Sequence, residues 1–173
     1  MFLPHPHPNP PLEGEGANGE GACFDMSLLA KILPPGSVLC GLDVGSKAQL
    51  FEEAGRLFEN NLQLPRKKVI DSLAAREKLG STGLGHGFAI PHGRIKGLRE
   101  ATGAFFKLKT PISFDAHDSQ PVSMLFILLV PEQATDLHLQ ILGELAQMFS
   151  NRQLREKLRA SDNPAEIHQL LTA

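Results

Sequence analysis

Positive charge is not in excess in this chain. Its 17 Lys and Arg residues stand against 19 Asp and Glu, a formal net charge of −2 with a pI near 6.4. That argues against the basic footprint with which a nucleic-acid-binding domain neutralises phosphates, although local patches can still steer an acidic partner. Cysteine is scarce too. Cys23 and Cys40 make neither a disulfide framework nor a zinc-like spacing, and they read as free thiols of a reducing compartment. The longest apolar run, from Met124 to Val130, is far too short to cross a bilayer. The N-terminus lacks the basic segment and apolar stretch of a secretory signal. A cytoplasmic protein, not itself membrane-embedded, is the expectation by elimination.

What is present is the composition of one globular domain: 173 residues, 42% hydrophobic and 21% charged, enough to bury a sizeable core. Residues 1–25 stand apart. Alternating His and Pro from Pro4 to Pro11 give way to a Gly/Glu tract, and neither can form a packed core. This segment is expected to be a disordered extension, with His5 and His7 incidental to it. Met26 opens the first globular stretch and is read as the natural start, which makes 26–173 the domain.

Helix and strand signals then alternate. Residues 38–42 read as a strand. Residues 46–60 read as a helix opened by a Ser46/Gln49 capping box, with Leu50, Phe51, Ala54, Leu57 and Phe58 on its buried face. Pro65 opens a helix over 66–79 with a stripe of Val69, Ile70, Leu73 and Ala74, and Gly80 stops it. A loop of four glycines runs from Gly80 to Gly87. Strands follow at 88–90 and 103–109, with an extended piece at 111–115. The uniformly apolar run 122–130 reads as a central strand covered on both faces. A helix capped by Thr135 or Asp136 comes next, with Leu139, Leu142, Leu145, Ala146 and Phe149 expected inside, and two further helices lie near 151–160 and 164–171. The pattern predicts an α/β fold with one sheet flanked by helices on both faces.

Four features could carry chemistry. His92 follows Pro91 at the end of an apolar strand and precedes Gly93, which presents a nitrogen nucleophile on a stiff support. A neutral imidazole suits that role near pH 7. The equally available structural reading is a turn histidine. The loop Ser81, Thr82, Gly83, Leu84, Gly85, His86, Gly87 fits neither the P-loop nor the dinucleotide fingerprint. It is either a flexible connection or a concavity of backbone N–H groups that holds an anion. His138 lies in the first turn of a helix, where N–H groups favour a negative ligand, and it also edges onto a buried stripe. Arg76, near a helix end that feeds the glycine loop, is a solvated charge or a guanidinium fork on a phosphoryl group. His86, His117 and His168 are weaker candidates: His86 lies inside the glycine loop, close enough to touch a partner or substrate, and surface roles suffice for the other two.

The stretch from Arg76 to Arg94, with Pro111–Asp115, Leu128–Pro131 and His138–Leu142, resembles the IIA domains of fructose/mannitol-type phosphotransferase systems, the nitrogen-regulatory branch above all. The likeness runs from about Met26 to the C-terminus. It implies a mixed five-stranded sheet flanked by helices, with His92 as the phosphorylated histidine, His138 as a second active-site histidine and Arg76 as the nearby arginine. His86 departs from the pattern, standing where family members often carry asparagine. The resemblance further implies phosphoryl transfer from an HPr-like phosphocarrier, with no metal and no organic cofactor. It also implies regulatory target proteins of the kind of a potassium transporter or a sensor kinase. A sugar-specific IIA component serving a separate permease is the alternative. A metallohydrolase built on His86, His92 and His138 is a third class, disfavoured because the usual carboxylate or cysteine ligands are not evident.

Overall fold

The computed structural model describes residues 28–133 and 135–173. The expectations for residues 1–25, including His5, His7 and Cys23, and for a start at Met26 fall outside the described residues, as does the side chain of Thr135. The chain begins with helical residues 28–32 (α1) and a 3-10 turn at Pro35–Ser37, then strand β1 (Val38–Leu42) and helices α2 (Lys47–Leu62) and α3 (Arg66–Lys78). Strands β2 (Gly83–Gly85), β3 (Phe88–Ala89), β4 (His92–Ile95), β5 (Thr102–Ile112) and β6 (Val122–Pro131) follow. Helices α4 (Thr135–Phe149), α5 (Arg152–Ala160) and α6 (Pro164–Thr172) close the chain.

The sheet is mixed, in the order β1-β5-β6-β3-β2, with β4 also paired to β6. Strands β3 and β4 both run parallel to β6, along Met124–Leu125 and Leu128–Pro131 respectively. They are one strand interrupted at Ile90 and Pro91, which accounts for six strands where five are implied by resemblance. Proline has no N–H for the ladder, but its carbonyl still accepts from Leu128 N at 2.9 Å.

Strand β6 divides the core. Leu125, Ile127 and Leu129 point to the face covered by α2 and α3, and Met124, Phe126, Leu128 and Val130 to the face covered by α1, α4, α5 and α6. All seven are buried. This is a period-2 alternation hidden inside a uniformly apolar run, as a strand covered on both faces requires.

The α2 start follows the capping signal: Ser46 Oγ accepts from Gln49 N at 3.3 Å, while Gln49 Oε1 reaches back to Gly45 N at 2.7 Å. Leu50, Phe51, Ala54, Leu57 and Phe58 are buried as the pattern predicts. Helix α4 corrects one expectation. Its buried stripe is Ile141, Leu145 and Phe149, spaced four apart, and Leu139 is 65% exposed. Two residues before Ile141, Leu139 is turned roughly 200° around the helix from that stripe.

The glycine stretch is not an open loop. Gly83 and Gly85 pair with Ala89 and Phe88 in an antiparallel hairpin, joined by His86 and Gly87 at φ values of 56° and 84°. Positive φ at both central residues is the signature of a two-residue type I′ turn, in which Asn-Gly is the favoured dipeptide. His86 therefore occupies a left-handed position that asparagine and histidine tolerate better than most residues.

Candidate functional site

His92 opens β4 and is only 8% exposed. Its Nδ1 lies 2.8 Å from the carbonyl oxygen of Ile90. A carbonyl only accepts, so Nδ1 carries the proton and Nε2 keeps its lone pair. Arg76 Nε donates to that Nε2 at 3.2 Å. Burial, and to a lesser extent the Arg76 charge, holds the imidazole below its ordinary pKa, opposed in part by the Ile90 carbonyl and by Glu77. The geometry thus delivers a neutral imidazole with a fixed tautomer and one unprotonated nitrogen. Gly93 lets α3 come close behind it, because a Cβ there would collide with Ser72, whose hydroxyl donates to Arg94 O at 2.9 Å.

His138 meets His92 edge to face, ring centroids 5.0 Å apart and planes at 65°. Its Nε2 is buried without a hydrogen-bond partner among the described residues. Burial lowers its pKa, followed by the charges of His92, Arg94 and Arg76. Arg76 gives Nη1 to Gly80 O at 3.0 Å, and the described residues give its other terminal nitrogen no acceptor. Arg76 and His138 thus both contact the His92 ring, and the charge of Arg94 is felt at His138. A cavity of about 240 Å³ opens beside His92, lined by Arg76, Ser81, Thr82, Gly83, His92 and apolar side chains including Leu84 and Leu142. Arg76 is the charged group on the wall of this cavity, the kind of side chain that can meet an anion.

The sequence candidates divide cleanly. His92, His138 and Arg76 come together, and Ser81, Thr82 and Gly83 line the cavity. Gly85, His86 and Gly87 do not. They form the hairpin turn, where His86 N donates to Asp118 Oδ2 at 2.9 Å and Arg159 donates to His86 O. A cradle of free N–H groups is also not what the loop provides. Thr82 N is bonded to Glu77, Gly83 N to Ser81 Oγ and His86 N to Asp118. Side chains of α3, of the loop itself and of the β5–β6 connection thus already occupy these donors. Since His86 sits away from this cavity, it does not form a three-histidine ligand set with His92 and His138. Among the described residues no group of three His, Cys, Asp or Glu could hold a metal.

Arg94 was not singled out by the sequence, yet its charge acts on His138. The available signal was strand periodicity, since a residue two places after His92 in a strand shares its face.

Comparison with known proteins identifies the class. Residues 31–173 match the family model described as phosphoenolpyruvate-dependent sugar phosphotransferase system, EIIA 2, and the chain belongs to that family. Its relatives within the family include several nitrogen regulatory proteins and, at 35% identity over 122 residues, covering 70% of this chain and 75% of that one, a fructose-specific EIIA component from Haloferax volcanii. The chain is 40% identical over 147 residues to the nitrogen regulatory protein of Pseudomonas aeruginosa, covering 84% of this chain and 96% of that one. It is 41% identical over 128 residues to that of Escherichia coli, covering 73% and 78%. The crystal structure of nitrogen regulatory protein IIA-Ntr from Neisseria meningitidis superposes with a TM-score of 0.80 at 51% identity, covering 84% of this chain and all of that one. The mannitol IIA structure from Escherichia coli shares the fold, with a TM-score of 0.68 at 19% identity over 80% and 97% of the two chains. No helix among the described residues is long and apolar enough to cross a membrane.

Proposed function

We propose that His92 Nε2 accepts a phosphoryl group from the phosphohistidine of a small HPr-like carrier, and that the phosphorylated and free forms differ in their affinity for regulated proteins. The observation that carries the reading is the Nδ1–H bond to Ile90 O, which leaves Nε2 as the one unprotonated ring nitrogen, beside Arg76. In the transfer, the Arg76 Nε–H, which occupies the Nε2 lone pair at rest, shifts from it to a phosphoryl oxygen, and the freed lone pair attacks phosphorus in line. A P–N bond forms on His92 as the carrier's P–N bond breaks, and the carrier imidazole leaves with that electron pair. His92 needs no base, because the attacking nitrogen holds no proton. Charge spreads over the equatorial oxygens during transfer, and Arg76 and His138 stabilise it in this reading.

The regulatory half rests on the names of the relatives and on the rim. Leu79 and Leu139, 84% and 65% exposed, belong to the segments that carry Arg76 and His138. A phosphoryl group adds about −1.5 to −2 charges near pH 7, enough to reverse the preference of an apolar contact surface with a cationic centre. This chemistry belongs in the cytoplasm, with the carrier protein.

Incubation with phosphoenolpyruvate, enzyme I and the HPr-like carrier tests the reading. Acid-labile phosphate is expected on the unaltered protein and not on His92→Ala. Label of that kind persisting in His92→Ala overturns it. Restored sugar uptake in a strain with only a fructose or mannitol permease would instead assign the phosphate to sugar transport.

A further inference from the structure

Two charged residues beside the site occupy the helix ends that suit them least. Lys47 is the first residue of α2, a helix with no acidic residue in its first turn, so its ammonium meets the positive end of the helix dipole. Glu77 lies in the last turn of α3, where the negative end disfavours a carboxylate. Each would be better placed at the other end of its helix. They pair instead with one another, Nζ to Oε1 at 2.9 Å, and the Glu77 side chain is only 7% exposed. Lys47 Nζ is further held 3.5 Å from Asp115 Oδ2 and 4.5 Å above the centre of the Phe114 ring. Where local preference and structure conflict in this way, a functional constraint is the usual reason.

The pair holds the wall of the cavity. Glu77 Oε2 accepts from Thr82 Oγ1 at 2.7 Å and Oε1 from Thr82 N at 3.2 Å. Next to it, Ser81 Oγ donates to Phe114 O at 2.6 Å. Residues 79–83 are thereby fastened to α3 on one side and to the β5–β6 connection on the other. That segment includes Gly80, whose carbonyl accepts from Arg76 Nη1, the guanidinium whose Nε faces His92. A continuous set of contacts runs from Lys47 through Glu77 and Thr82 to the loop, and from Gly80 through Arg76 to Nε2.

We propose that Glu77, backed by Lys47, is a positioning residue for the reaction at His92: by clasping Thr82 it fixes the loop whose Gly80 carbonyl keeps Arg76 aimed at Nε2. The proposal rests on the reading that His92 takes up a phosphoryl group. Glu77, like the Ile90 carbonyl, also favours a proton on His92 against the opposing influence of burial and of Arg76, which gives the carboxylate a second, independent signature.

The test uses the full chain and its Glu77→Gln variant, nearly the same in shape but uncharged. Single-turnover phosphorylation by the HPr-like carrier is expected to show the maximal rate falling by roughly tenfold or more, since small misplacements of a stabilising group are costly. The carrier concentration at half-maximal rate is expected to stay within about twofold, because the donor's docking contacts are untouched. In NMR titrations, the His92 imidazole is expected to titrate at lower pH and the Arg76 Nε–H resonance to lose its hydrogen-bonded shift. A lower melting temperature with unchanged maximal rate and unchanged His92 titration would make the pair merely structural and overturn the proposal. If Glu77→Gln does not fold, Thr82→Val decides: a loss of maximal rate supports the clasp and an unchanged rate overturns it. An unlabelled wild type defeats the phosphoryl reading alone, and the Arg76 and His92 resonances then decide the clasp without it.

Discussion

Two cationic centres in this molecule use similar side chains for opposite purposes. Lys107, on β5, reaches the carbonyl oxygens of Leu158, Arg159 and Ser161 at 3.2, 2.8 and 2.6 Å and the Asp162 carboxylate at 3.0 Å. It closes the C-terminal end of α5, where a helix leaves carbonyls without partners and favours a positive charge. Its ammonium is surrounded by acceptors. At His92 the reverse holds: Arg76 has a terminal nitrogen without an acceptor among the described residues, His138 Nε2 has no partner, and Arg94 adds a further charge. A saturated cation builds the fold, whereas around His92 a guanidinium nitrogen and an imidazole nitrogen are left without partners among the described residues.

The largest effect that sharpens this contrast is expected at Arg76. Arg76→Met should slow single-turnover phosphoryl uptake by about a hundredfold, the scale seen when one preorganised donor to a transition state is removed. It should leave urea unfolding nearly unchanged. A wild-type rate in that variant would mean that Arg76 is a solvated charge after all. Next comes Lys107→Met, which should cost about 2 kcal/mol in urea unfolding by stranding the α5 carbonyls, with uptake at His92 unaffected. Slowed uptake at unchanged stability would erase the distinction between the two centres.

The smallest effect is on pH. His92 and His138 are both held below the ordinary imidazole value of 6.5 by burial. As pH falls below that value, the unfolded chain gains protons that the folded chain resists, so the unfolded state binds more protons and stability falls with acidification. Above it neither state is protonated and the contribution is flat. Melting temperatures measured from pH 7.5 to 5 should decline more steeply for the unaltered protein than for a His92→Gln/His138→Gln variant. Equal slopes would show that the imidazoles are not held neutral by the fold.

Much of this was legible in the residues. The capping box at Ser46 and Gln49, the stripe on α2 and the apolar run of β6 each signal local structure by short-range chemistry, and each appears where that chemistry places it. His92 after Pro91 was legible as an oddity, and the resemblance gave it a role. The hairpin at Gly83–Phe88 was not legible, because Gly-Leu-Gly has no strand pattern and its pairing depends on the His86–Gly87 turn. Leu139 was misassigned because the α4 stripe is set by Ile141, whose partners lie elsewhere in the chain. The Lys47–Glu77 pair was hidden for the same reason: its members are thirty residues apart and each defies its own helix.

The interruption at Pro91 has a further consequence. It places His92 on backbone still paired to β6, opposite Leu128, and not on a connecting loop. Buried, paired segments are the last to open in a native protein. Under the proposed function, the group whose chemical state changes therefore sits in paired scaffold, and its state reaches a partner through charge and not through a hinge or a lid. Any reader of that state has to come to the surface and feel the charge itself.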